Sequence, residues 1–331
     1  MMRPWPFDDQ QLPHLTDVQR IALHPSAVRL NGQFAPLLEH LATLGNLTEL
    51  TRNESALLEK DNVSGALYVQ NELQLAPAES THMRIFYPQW EHGYALEECD
   101  STTGTQRHSL QFFDRHGSMM HKVIMDQGSD LTALKRLIAD HAATEQLTPV
   151  QLAPAVETQP ASQISQIDVD ALRAEWAHAH NHSDFLQRQE IFDQQRLRKL
   201  RLAGKAFAYQ VANDSARIIL QRMTEIGTAI LAQVGNAGVV QAYYGKIKKV
   251  GTKNSRLKIM NTGFRMLLRE DHIDSVWVAK KPTTDGIITS LELFNRQGTH
   301  IASFLSKKAN GQPEPREWRD SIMHLMPIFG A

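Results

Sequence analysis

A single cysteine, Cys99, in 331 residues excludes an intrachain disulfide framework and any Cys-x-x-Cys metal site. Acids and bases nearly cancel, to a formal net charge of −1, so total charge calls for neither nucleic acid nor an acidic membrane as partner. No apolar run approaches the roughly 20 residues that cross a bilayer, so no membrane span is expected. The opening MMRPWPFDDQQLPHL carries acids and prolines where a signal peptide has its apolar centre, and a cytoplasmic location is the expectation. Flavin and nicotinamide fingerprints are missing, as are a nucleophile elbow and a Ser-His-Asp order. The one Gly-x-x-Gly stretch, 235-GNAG-238, lacks the spacing and lysine of a phosphate loop and reads as a turn.

What is present is an ordinary globular balance, 42% hydrophobic and 21% charged, on a chain long enough for about two domains. The stretch 145-EQLTPVQLAPAVETQPASQISQ-166 has no aromatic residue, and Pro149, Pro154 and Pro160 are spaced to prevent a helix. It divides the chain into an N-terminal unit over 1–147, a linker over 148–166 and a C-terminal unit over 167–331.

The two units repeat each other. The segment 109-SLQFFDRHGSMMHKVIM-125 aligns with 290-SLELFNRQGTHIASFLS-306 at an offset of 290 − 109 = 181, and the same offset pairs Arg84 with Arg265. Each segment reads as strand, Asp/Asn-Arg-x-Gly turn, strand. Helical spacing appears over 36–45 with Gly45 as C-cap, over 130–143 with Asp130 as N-cap, and over 214–231. Strand patterns occupy 239–250, 256–260, 264–268 and 275–281. The expected fold is therefore α+β: a tandem duplication of one unit, with large antiparallel sheets flanked by helices.

Three histidines, His178, His180 and His182, alternate in 176-WAHAHNHSDF-185, a spacing that places them on one face of an extended segment. Two readings are open for them: ligation of a metal or cofactor, and a solvated surface. Structural zinc takes four N or S ligands, and no partnering Cys/His pair is visible. The basic run 196-RLRKLR-201 fits either carboxylate binding or a solvated helix face. The segment 281-KPTTDG-286 reads as a turn, with Asp285-Gly286 at the reversal.

Several segments resemble the bacterial hemin-degrading and hemin-transport proteins of the HemS/ChuS type. In the second half these are 234-VGNAGVVQAYYGKI-247, 275-SVWVAKKPTTDGIITSLELFNRQGTHIASF-304 and 310-NGQPEPREWR-319. In the first half they are 49-ELTRNESALLEK-60, 83-MRIFYPQW-90 and 109-SLQFFDRHG-117. The resemblance implies a two-repeat α+β protein that binds heme in a cleft formed with the second repeat. The family's axial histidine, counted from Trp176, falls on Ser183; His182, one residue earlier, is then the implied iron ligand, with His180 and His178 beside it. Arg84 matches the distal arginine and Arg196 the arginine that follows the histidine segment in the family pattern; Arg196, Lys307 and Lys308 would then meet heme propionates or stand on a solvated face. Thr284 and Leu305 stand where the family often has a lysine and an aromatic hydroxyl. Phe185 and Phe304 fit either the porphyrin face or the core, and Trp277 fits the core. The implied role is the handling or degradation of imported hemin, with a heme importer, a heme oxygenase or a reductase as partner. The alternatives are a carrier without catalysis and a scaffold that has lost heme.

Overall fold

The structure, a computed structural model, describes residues 15–64, 81–99, 105–154, 167–177, 195–284, 286–306 and 312–328. The first repeat runs α1 (Asp17–Ala22), β1 (Val28–Arg29), α2 (Phe34–Glu39), β2 (Asn46–Arg52), β3 (Ala56–Ser64), β4 (Thr81–Ile85), β5 (His92–Cys99), β6 (Gln106–Phe113), β7 (Met119–Met125) and α3 (Leu131–His141). After α4 (Val169–Ala177), the second repeat runs α5 (Arg196–Ala203), β8 (Ala208–Val211), α6 (Ser215–Ile226), β9 (Ile230–Gly235), β10 (Val239–Gly245), β11 (Lys249–Lys253) and β12 (Arg256–Asn261). It ends with β13 (Phe264–Arg269), β14 (Ser275–Thr283), β15 (Gly286–Phe294), β16 (His300–Ser306) and α7 (Arg316–Met323).

Local chemistry sets many of these boundaries. Asp130 caps α3 by accepting from the amides of Thr132 and Ala133. Helix α6 buries Ala216, Ile219, Leu220 and Met223 on one face. It stops at Gly227, which takes the left-handed conformation, so the helical pattern expected to reach Leu231 yields at Ile230 to strand β9. The helix expected over 36–45 is α2 followed by a 3-10 turn over His40–Leu44. The single strand expected over 239–250 is two, β10 and the start of β11. Both Asp/Asn-Arg-x-Gly turns close alike: the amides of Gly117 and Gly298 donate to the carbonyls of Asp114 and Asn295. At the Lys-Pro-Thr turn, Thr283 pairs with Gly286, so Gly286 already belongs to β15; Asp285 lies outside the described residues.

The duplication continues into the sheets. Strands β7 and β16 sit at the offset read from sequence (300 − 119 = 181). The nine-stranded sheet has the order β1-β5-β6-β7-β2-β3-β13-β12-β11, and the seven-stranded sheet β4-β10-β9-β16-β15-β14-β8. Matched strands follow the same order in both sheets, but the last partner is exchanged. Strand β13 of the second repeat pairs with β3, and β4 of the first repeat pairs with β10. Neither sheet is the product of one repeat alone.

The sheets face each other across one core. Ala56 and Leu58 of the first repeat share it with Val234, Leu257, Met266, Ile301 and Phe304 of the second. Tyr243 and Phe264 stack at 3.6 Å between ring centroids within it.

Two asparagines tie the repeats together reciprocally. Asn53 Nδ2 donates to the carbonyls of Gly235 and Ile301, at 3.0 and 2.9 Å. Asn236 Nδ2 donates to those of Arg52 and Met120, both at 2.8 Å. Each side-chain oxygen accepts two amides of its own turn, Ser55 and Ala56 for Asn53, Gly238 and Val239 for Asn236. All four hydrogen-bonding positions of each amide are thus filled. The 235-GNAG-238 segment is the turn expected, and it is also half of this clasp. The Gly238 carbonyl accepts from the Phe86 amide and from Trp90 Nε1, which holds the end of β4 in place. A methyl at Gly238 would overlap the Met120 sulfur and stand 2.7 Å from Trp90 Nε1. Gly238→Ala is expected to cost about 1–3 kcal/mol by overpacking, read as a lower urea midpoint with an unchanged slope.

Candidate functional site

The exchange of β4 carries Arg84, a residue of the first repeat, onto the seven-stranded sheet. Side chains alternate along a strand, and directly paired residues share a face. Arg84 pairs with Val240, so it lies on the face turned away from the other sheet, with Ala242 and Tyr244 on β10. The same face continues through Leu231 and Gln233 on β9, Ser303 and Leu305 on β16, and Ile288, Ser290 and Glu292 on β15.

This face has three zones. Leu231, Ala242, Ile288 and Leu305 form a buried apolar cluster with Tyr244 packed against it. At the far end, Trp277, Ala279 and Phe294 pack beneath Leu172 and Trp176 of α4 and Leu197 and Leu200 of α5. Between them runs a polar strip. Glu292, 1% exposed, is gripped by Arg196, with Nε to Oε2 at 2.8 Å and Nη2 to Oε1 at 2.5 Å. Ser290 Oγ donates to the same carboxylate at 2.9 Å. Burial alone would raise the Glu292 pKa, but the charge and hydrogen bonds of Arg196 outweigh it and hold the group at about 2. His300 Nε2 and Ser303 Oγ lie 2.7 Å apart, and burial lowers the His300 pKa to about 4. Gln233 Oε1 is buried in the strip with no protein partner.

The strip also holds the described residues that flank the histidine segment. His178, His180, His182, Ser183 and Phe185 lie outside the described residues, as do Lys307 and Lys308. The chain leaves the described structure after Ala177 and returns at Gln195. Those two ends are held together: the Arg196 guanidinium lies 5.4 Å from the Trp176 ring centroid, and Lys281 Nζ lies 5.0 Å from it. Arg196 is 3% exposed. The basic run fits either carboxylate binding or a solvated helix face; its first residue, Arg196, is buried and faces Glu292 of its own chain.

The two repeats treat the matched arginines differently. Arg265 pairs across strands with Glu59, and Nη2 meets Oε2 at 2.5 Å. Arg84 pairs at the same register with Val240 (240 − 59 = 181). Arg84 is exposed, and its guanidinium lies 5.0 Å from the Phe86 ring centroid. Strand β4 stands four strand spacings from β15, about 19 Å from Arg84 to the Glu292 strip.

The other residues singled out from sequence divide cleanly. Phe304 belongs to the core between the sheets, Leu305 to the apolar cluster on the outer face, and Trp277 is buried beneath α4 and α5. Thr284 is exposed in its turn. Glu292 and Gln233 escaped the sequence reading. The available signal for Glu292 was an acid among apolar alternations in 287-IITSLELF-294. Among the described residues, no three His, Cys, Asp or Glu side chains group as they would around a metal ion. A separate cavity of about 510 Å³ opens beside the asparagine clasp. Of its charged lining, Arg20 and Arg52 pair with Asp17, and Arg269 pairs with Asp271 outside it; Glu54 and Asp114 line it too.

The fold and this face define a class: duplicated α+β proteins with two opposed sheets and strands exchanged between the repeats. The chain belongs to the family of the haemin-degrading HemS.ChuX domain, whose model matches residues 15–141 and 193–325. It is 35% identical over 308 residues to the hemin transport protein HemS of Yersinia enterocolitica, covering 90% of this chain and 86% of that protein. The crystal structure of holo-PhuS, a heme-binding protein from Pseudomonas aeruginosa, superimposes with a TM-score of 0.83 at 28% identity, over 96% of this chain and 92% of that one. The heme-degrading enzyme ChuS of Escherichia coli O157:H7 gives 0.81 at 28% identity, over 96% and 92%.

Proposed function

We propose that this protein binds hemin on the outer face of the seven-stranded sheet and serves its uptake and use. The observation that carries the reading is the exchanged strand β4. It brings Arg84 onto the sheet whose outer face also anchors both ends of the histidine segment. The space between, about 19 Å across four strand spacings, is wide enough for a porphyrin, and Leu231, Ala242, Ile288 and Leu305 offer it an apolar floor. Gln233 Oε1, buried without a protein partner, adds an acceptor to that floor.

In this reading His182 would supply the imidazole that holds the heme iron, and Arg84 would offer its guanidinium to the same bound hemin. Lys308 meets a propionate. Arg196 serves the site indirectly by fixing the neck of the histidine segment against Glu292. Bound heme supplies the iron chemistry, and its oxidative breakdown needs electrons from a separate reductase. His178 and His180, spaced as alternative ligands beside His182, favour a second role as carrier to a separate oxygenase, after receipt from an importer. Residues 148–166 act as the linker between the repeats. Among the described residues no helix is long and apolar enough to cross a membrane, and we place the reaction in the cytoplasm.

The test is an anaerobic hemin titration of the full chain, followed by absorbance. A saturable one-to-one Soret shift is expected. A spectrum that stays that of free hemin at every ratio rejects the reading.

A further inference from the structure

The net charge of −1 conceals a strongly one-sided region. From residue 226 to residue 269 there is no Asp or Glu, while Lys246, Lys248, Lys249, Lys253, Arg256, Lys258, Arg265 and Arg269 all fall there. The register sorts them. Lys253 pairs with Arg256, Gly251 with Lys258, Lys249 with Met260, Met260 with Arg265, and Arg256 with Arg269. Paired residues share a face and alternate residues keep it. Lys249, Lys253, Arg256, Lys258, Arg265 and Arg269 therefore stand together on the outer face of β11, β12 and β13. The opposite face of the same strands is apolar, with Leu257, Ile259, Phe264, Met266 and Leu268 in the core.

Folding does not require this arrangement. Like charges placed directly across strands destabilise a sheet, as Lys253 and Arg256 do here. Lys258 is held below the usual lysine range, by burial first and then by Arg265 and Lys249, with Glu59 opposing. Lysines on an edge strand such as β11 discourage sheet-to-sheet aggregation, but that accounts for Lys249 and Lys253 alone. It leaves Lys258 on β12, a strand inside the sheet; on β13, Arg265 is paired with Glu59 and Arg269 with Asp271. The other repeat has no such need: at the same offset, residues 68–80 contain Glu72 and Glu79 and no Lys or Arg.

We propose that the outer face of β11–β13 docks the protein electrostatically on an anionic lipid bilayer. The face is a sheet surface three strands wide, which suits a plane better than a groove. Its most exposed cations are lysines, Lys249 and Lys253, compact charges suited to a diffuse headgroup layer. The strands present no aromatic residue on this side for stacking on nucleic-acid bases. The large apolar side chains on this side, Met260 and Leu267, are half-buried among the cations, so the attachment is reversible and sensitive to salt. The proposed heme face belongs to the other sheet, on the far side of the core, and stays open when this face is docked. The proposal stands independently of hemin binding.

The test uses the full chain and its Lys249→Gln/Lys253→Gln/Lys258→Gln variant in vesicle co-sedimentation. Vesicles are phosphatidylcholine alone, or with about 30% phosphatidylglycerol, at about 50 and about 300 mM salt. Binding to the anionic vesicles only, weakened at high salt, is expected, with an affinity loss of about fivefold per lysine and on the order of 100-fold for the triple variant. The variant's melting temperature should not fall, because it removes repulsion, so lost binding is not lost folding. Absence of binding by the parent protein, or equal binding by the variant, overturns the proposal. Lysine-dependent retention of duplex DNA or RNA without vesicle binding overturns it too and reassigns the face to a phosphate backbone.

Discussion

Glu292→Ala is expected to destabilise the protein by about 3–5 kcal/mol, the cost of leaving a buried cation without its partner. The Arg196 guanidinium is 3% exposed, and the carboxylate removed is the one that receives its Nε and Nη2. Ser290 loses the same acceptor. The measurement is the urea midpoint at neutral pH, where the Glu292 carboxylate, with a pKa of about 2, is ionised. Replacing both partners, Arg196→Met with Glu292→Leu, is expected to recover most of the loss, since matched apolar groups replace a buried pair at little cost. A double variant as unstable as Glu292→Ala would show that the side-chain shapes matter here and the charges do not. The recovered double variant also isolates the second consequence. Its Trp176 loses the guanidinium beside it and keeps Lys281 and its apolar packing.

His182→Ala is expected to weaken hemin binding about 100-fold, roughly 2.8 kcal/mol, and to change the Soret band from that of a histidine-ligated species. His178→Ala and His180→Ala, titrated beside it, are expected to keep the parent spectrum. The comparison separates ligation from general disturbance, because all three substitutions remove an imidazole from the same ten-residue stretch. If the spectral change follows His180 or His178 instead, the axial assignment moves to that residue and the site stands. If none of the three changes the spectrum, the histidine segment is not where hemin is held.

Periodicity and turn chemistry made the repeat legible from sequence. An offset of 181 residues between 109–125 and 290–306 was enough to place β7 against β16 in the duplicated unit, because each strand alternates apolar residues around a turn that needs its glycine. Asp130 capped its helix as read, since an N-cap depends only on the next three residues. Where the reading ran long, as at Gly227, a local breaker stood inside an otherwise apolar pattern.

Pairings between distant residues were decided only by the tertiary structure. Arg84 and Arg265 occupy equivalent places in sequence, yet one pairs with Val240 and the other with Glu59, because β4 and β13 are exchanged between the sheets. Arg196 and Glu292 are 96 residues apart, and Asn53 reaches Ile301 across 248. The basic face of β11–β13 came from cross-strand register, which total charge cannot report. Sequence determined that the chain is a duplicated α+β protein with candidate ligands, because caps, turns and alternation act over a few residues. Tertiary structure alone decided which arginine stands on the outer face of the seven-stranded sheet and which is neutralised by Glu59, because a β-ladder takes its partner from anywhere in the chain.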